Sequence, residues 1–179
     1  MPILPDYLRH GLSVVFCGTA AGKKSASRGH YYSGSGNEFW RYLFEAGLTP
    51  VQLRPDDDQG VCKFNLGLTD LAQEVSASSD RGLRPHYRVA KFTSKIELFK
   101  PLWVAFHGKE AAKEVARSLK KPSEISLGRQ SWLIGNSSVF VLPSASGANR
   151  DPARLEGKAS RLEWFKELAQ IVNTVDKTE

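Results

Sequence analysis

A chain of 179 residues, 41% hydrophobic and 25% charged, can bury one core without help from disulfides or metal and reads as a single domain over residues 1–179. The net charge of +6 leans toward polyanionic partners. No apolar run reaches the roughly 18 residues a membrane span needs, and MPILPDYLRH lacks the regions of a signal peptide, so a cytoplasmic monomer is expected. In chain order, SVVFCG (residues 13–18) reads as a buried strand ended by glycine. Asn37 is the expected N-cap of a helix on which Trp40, Leu43, Phe44 and Gly47 fall at i, i+3, i+4 and i+7, and which stops at Gly47. KFNLGLTDL (residues 63–71) is an irregular apolar segment, and QEVSASSDRGLRP (residues 73–85) is polar enough to be a loop. Val89, Phe92, Ile96 and Phe99 space as a second helix, ended before Pro101.

LWVAFHG (residues 102–108) is a second clear strand and leads into a helix carrying Ala112, Val115, Ala116 and Leu119. SSVFVLP (residues 137–143) is the third. Asp151-Pro152 then has the form of an N-cap and first turn for a last helix, whose buried face would be Leu155, Ala159, Leu162, Phe165, Ala169 and Val172. Strands alternating with helices predict an α/β fold: three layers, α/β/α, around a short and mainly parallel sheet. Ligands in such folds bind outside the carboxyl ends of the strands. Those ends carry GTAAGKKS, LGLTDL and SASGANR, which are therefore expected to meet at one cleft.

GTAAGKKS invites comparison with the phosphate loop G-x-x-x-x-G-K-[ST], but three residues separate Gly18 from Gly22 and no glycine precedes Lys24-Ser25. No later strand ends in an acid suited to Mg²⁺, so nucleotide hydrolysis is disfavoured. Cys17 and Cys62 share no metal-ligand spacing with each other or with His10, His30, His86 and His107, so they read as thiols, with no metal or cofactor implied. The basic residues cluster: Lys23, Lys24 and Arg28; Arg81, Arg84, Arg88, Lys91 and Lys95; Arg150 and Arg154. That pattern suits a DNA footprint or an ordinary solvated face.

VVFCG-x-x-x-G, then NEFW, LGLTDL, the strand before Gly108-Lys109 and VLP-x-x-SG-x-x-R, in that order, resemble the mismatch-specific uracil/thymine-DNA glycosylases of the uracil-DNA glycosylase superfamily, across roughly residues 12 to 172. The resemblance implies a DNA repair enzyme that flips uracil out of the stack and hydrolyses its N-glycosidic bond to leave an abasic site. It also implies roles. The backbone at Gly18, Thr19 and Ala20 would supply donors for the departing base. Tyr32 would stack on the flipped base, and Ser144 would lie near the base or a neighbouring phosphate. Gly147, Ala148, Asn149 and Arg150 would form the wedge that enters the duplex, with Lys23 and Lys24 on the phosphates.

Two departures matter. The family's first motif places a water-positioning Asn where this chain has Ala20, so the expected polar group is missing. Asp70 is the best substitute, either orienting the water or accepting from the base N3–H, and its protonation state decides which. His30 and Ser25 are the further candidates, since each can hydrogen-bond a water. The wedge is also small, because Ala148 stands where relatives carry a larger apolar residue. This predicts weak dependence on the opposing base and activity on single strands. The alternatives are a binder of damaged or abasic DNA with little turnover, which Ala20 favours, and a glycosylase for another base such as hypoxanthine or thymine.

Overall fold

The computed structural model describes residues 1–148 and 150–175. Five strands, β1 (Val14–Ala21), β2 (Leu66–Ser76), β3 (Trp103–His107), β4 (Gly128–Ile134) and β5 (Ser137–Leu142), form one sheet in the order β2-β1-β3-β5-β4. Every pair is parallel except β4 with β5. The apolar runs behave as strands buried on both faces must: Val14 to Cys17, Val104 to Phe106 and Val139 to Leu142 are all inaccessible to solvent. On one face α3 (Val89–Phe99) packs beside α4 (Lys109–Ser118), and on the other α2 (Phe39–Glu45) packs beside α5 (Arg161–Val175). A short α1 (Lys23–Arg28) follows β1 directly. This is the expected α/β/α arrangement.

Four local expectations change. LGLTDL is not irregular: β2 is one strand of 11 residues whose first seven are all buried, and it carries the chain through Ser76, past a register shift after Ala72, so the loop begins only at Ala77. The signal was masked because a strand covered on both faces shows no alternation. β4 has no apolar run and reads as polar, since it is an edge strand with Arg129, Ser131 and Leu133 exposed. Asp151-Pro152 starts a short 3₁₀ turn, with Asp151 Oδ1 accepting from Ala153 N at 3.0 Å, and not the last helix. Glu156 at φ +49° and Gly157 at φ +90° break the chain before α5 begins. The buried face of α5 is Trp164, Phe165, Leu168, Ala169 and Val172, while Leu155 and Ala159 lie before it. Asn37 is one residue out of the N-cap position, yet its Oδ1 still accepts from Phe39 N at 3.0 Å.

The outer edge of β2 is closed by the N-terminal segment. Tyr7 and Leu68 exchange backbone hydrogen bonds at 3.0 Å in both directions, and Ile3 N reaches Gln73 O. An exposed strand edge is a liability for aggregation, and this segment removes it. Asp6 ties the layer from below, accepting from Thr69 Oγ1 and Gln73 Nε2 and pairing with Lys95 of α3. The close approach depends on Gly67: a Cβ there would sit 2.7 Å from Leu12 Cδ1 and 2.8 Å from the Tyr7 carbonyl oxygen. Gly67→Ala is therefore expected to destabilise the protein by about 1–3 kcal/mol through overpacking against backbone, measured by chemical denaturation.

Candidate functional site

The carboxyl ends of β1, β2 and β3 open on a cleft of about 560 Å³. Gly18, Thr19 and Ala20 form its floor, Asp70 and the 77–83 loop one wall, and Tyr32, His107 and Ser144 the other groups facing it. The three separated segments thus meet at one rim.

The first motif is strand, not turn. β1 stays paired with β2 through Ala20↔Ala72, whereas its pairing with β3 stops at Cys17↔Phe106. From Gly18 onward one edge of β1 is therefore unpaired and borders the cleft. Gly18 faces Asp70 across the β1–β2 pair, and a Cβ at Gly18 would lie 2.7 Å from Asp70 Oδ1. The missing side chain lets the carboxyl lie against bare backbone.

Asp70 is 7% exposed. Burial raises its pKa to about 8, with Asp6 adding to the rise and a hydrogen bond from the Gly18 backbone opposing it. At neutral pH the group is mostly a carboxylic acid, able to donate one hydrogen bond and accept others at once. A proton already in place makes it a poor base for activating water.

Tyr32 adopts φ +53°, a strained conformation for a bulky residue that the surroundings must enforce. Its ring stacks on Phe39 at 3.9 Å between centroids and lies 4.8 Å from His107. Its hydroxyl is enclosed beside Gly18 without a hydrogen-bond partner, and burial drives its pKa well upward. An orphaned buried hydroxyl costs free energy unless something arrives to pair with it. The neighbouring Tyr31 also lines the cleft, but it is buried and its hydroxyl donates to Pro5 O at 3.0 Å.

Ser25 is buried, and its Oγ accepts from Ser33 N at 3.0 Å, pinning the turn that presents Tyr32. His30 is not in the cleft lining: its Nδ1 lies 3.1 Å from Asp58 Oδ1, and the same carboxylate accepts from Tyr31 N. Lys23 and Lys24 stand exposed on the rim. Ser144 borders the cleft, while Gly147 packs on the Ser35 and Gly36 carbonyls. Ala148 is exposed, and Arg150 Nε donates to Gly147 O at 2.9 Å. Asn149 lies outside the described residues.

Three groups that sequence reading did not assign hold this last loop. Arg161 donates to the Ser144 and Ser146 carbonyls at 2.9 and 2.7 Å. Glu38 N donates to Ala145 O, and Ala145 N donates to His107 Nε2 at 2.9 Å. That last bond makes Nε2 an acceptor, so the neutral ring carries its proton on Nδ1. Burial, with Arg161 adding, lowers the His107 pKa to about 4. The available signal for His107 was its position at the end of a strand. Arg161 is separated by sequence from what it touches and gave none. Among the described residues no group of three or more His, Cys, Asp or Glu side chains is gathered to hold a metal, and no helix is long and apolar enough to cross a membrane.

A wound sheet with a cleft over its strand ends, a stacked aromatic in the lining and cations on the rim defines an α/β/α protein with a pocket at the carboxyl ends of its strands. The chain belongs to the uracil DNA glycosylase superfamily, which matches it over residues 5–170. It shares its fold with a candidate uracil DNA glycosylase from Methanosarcina acetivorans, solved in solution by NMR. The TM-score is 0.60 and the identity 19%, over 95% of this chain and 96% of that one.

The buried acid has a consequence for stability. Its folded pKa of about 8 exceeds its ordinary 3.8, so the fold is unpenalised below pH 4 and loses stability as pH rises through 8. At pH 7 the cost of retaining that proton is on the order of 4 kcal/mol. Asp70→Asn, neutral at every pH, is expected to raise the unfolding temperature at pH 7–8. Its advantage should disappear near pH 4, as followed by thermal melts across that range.

Proposed function

We propose that the protein is a monofunctional DNA glycosylase that extracts uracil from DNA and hydrolyses its N-glycosidic bond, leaving an abasic site. The observation that supports this most is the cleft itself, where a neutral Asp70, an unpaired strand edge at Gly18 to Ala20 and the strained Tyr32 border a space with ample room for a nucleobase. A flipped base stacks on Tyr32, a contact worth roughly 1–3 kcal/mol. The protonated Asp70 accepts from the base N–H and donates to the adjacent carbonyl. A carboxylate could only accept, and it would repel the leaving anion. Backbone N–H groups along the open edge of β1, together with the neutral His107, stabilise the charge that develops on the departing base.

Outside the cleft, Lys23 and Lys24 meet phosphates. A shallower groove of about 470 Å³ continues from Tyr32 and Gly34 past Lys24, Arg28, Arg41 and Arg54, a fitting track for a DNA backbone. Gly147, Ala148 and Arg150 stand where a duplex stack would be invaded. Hypoxanthine presents the same N–H beside C=O edge as uracil, so a panel of modified bases separates the two substrates. The absence of a polar group at Ala20 favours a second reading, a binder of damaged or abasic DNA without turnover.

Incubation with uracil-containing oligonucleotides, followed by alkaline cleavage of abasic sites, is expected to give strand scission. No product at stoichiometric protein, with uracil and with the panel of modified bases, leaves only the binder. Excision should decline as pH rises through about 8, where Asp70 loses its proton, and Asp70→Asn should hold its rate across that range. Ala148→Leu should raise excision from duplex relative to single strands severalfold, since a larger plug better holds the extrahelical state. An unchanged ratio of initial rates would remove Ala148 from the wedge.

A further inference from the structure

We propose that Asp80, in the loop after β2, is the group that takes the proton from the attacking water, filling the role left vacant at Ala20. The proposal rests on the glycosylase reading above. The cleft holds two carboxyl groups in opposite surroundings. Asp70 lies deep against the Gly18 backbone, while Asp80 lines the same cleft at its solvent-exposed mouth. A base that enters far enough to meet Asp70 and Tyr32 leaves its sugar at that mouth, so the glycosidic carbon comes to the level of Asp80.

The carboxylate is fixed there. Thr19 Oγ1, on the strand edge next to Gly18, donates to Asp80 Oδ1 at 2.6 Å. The loop behind it is anchored at its start by Ala77 N to Ala21 O at 3.0 Å, and Leu83 N donates to Asp80 O at 3.1 Å to close a turn ending on the buried Leu83. Among the described residues Oδ2 has no bonding partner, and it is free to accept from a water. Two carboxyl groups held apart in this way divide base recognition from proton transfer.

In the step, the water oxygen forms a bond to C1′ and the bond from C1′ to the base nitrogen breaks. The bonding pair leaves on that nitrogen, and the water's proton passes to Asp80 Oδ2. The anionic carboxylate also favours the positive charge that gathers on the sugar. Thr19 acts as a positioning residue through its hydroxyl.

The test is single-turnover excision from a uracil-containing single-stranded oligonucleotide at saturating protein, with binding of the same oligonucleotide measured alongside. Asp80→Asn is expected to slow excision by about a hundredfold or more, with Kd and unfolding temperature unchanged, and Asp80→Glu to recover part of the rate. Thr19→Val should lose less, in rate and not in Kd. Excision by Asp80→Asn within threefold of wild type overturns the assignment. So does a parallel loss of rate and affinity, which would make Asp80 a DNA contact. A wild-type chain inert toward every modified base removes the glycosylase reading itself, and this proposal with it.

Discussion

The site depends on one contact: a buried carboxyl pressed against a strand that has no side chain to oppose it. Asp70 Oδ1 occupies the space where a Cβ on Gly18 would stand, and β2 delivers it there because the parallel β1–β2 register pairs Gly18 with Asp70. Removing a carboxyl from water raises the free energy of its ionised form, so the fold itself decides that this group carries a proton at neutral pH. Its chemistry then differs from that of an aspartate read off the sequence. In the proposed function it recognises the base's edge and does not serve as a general base.

The neighbouring elements act to keep that space open and shaped. The N-terminal segment and the Asp6–Lys95 pair clamp β2 from the far edge, while Ser25 holds the turn that forces Tyr32 into a left-handed backbone. Strain of this kind persists only where surrounding structure over-determines it, and it gathers at functional sites. The loop after β5 is held by bonds from His107, Glu38 and Arg161 to the backbone between Ser144 and Ser146. Its tip at Gly147 and Ala148 is thus presented from a rigid base.

Polar groups in the cleft are sorted by depth. The innermost, Asp70 and the Tyr32 hydroxyl, are desolvated and neutral, suited to a ligand that is itself neutral when it arrives. Those at the mouth, Asp80 with Lys23 and Lys24, are exposed to solvent. On the proposed reading, this change from buried to exposed groups suits a nucleotide entering base first, because each part of it then meets groups of matching solvation.

Sequence alone determined the layer architecture, three of the five strands and the convergence of three loops, since apolar runs between helical patterns permit few other foldings. It also brought the segments carrying Gly18, Asp70 and Ser144 to one cleft, because ligands in such folds bind outside the carboxyl ends of the strands, and the family resemblance added Tyr32. Tertiary structure decided the rest. β4 alternates between buried and exposed positions but is short and polar at its start, and the final residues of β2 are only partly buried, so neither stood out as an apolar run. The diversion of His30 to Asp58, the grip of Arg161 on the loop after β5 and the bond between Thr19 and Asp80 link residues far apart in the chain. The proton on Asp70 likewise belongs to no local pattern: it follows from how much water the assembled fold excludes, a quantity that exists only once the strands are in register.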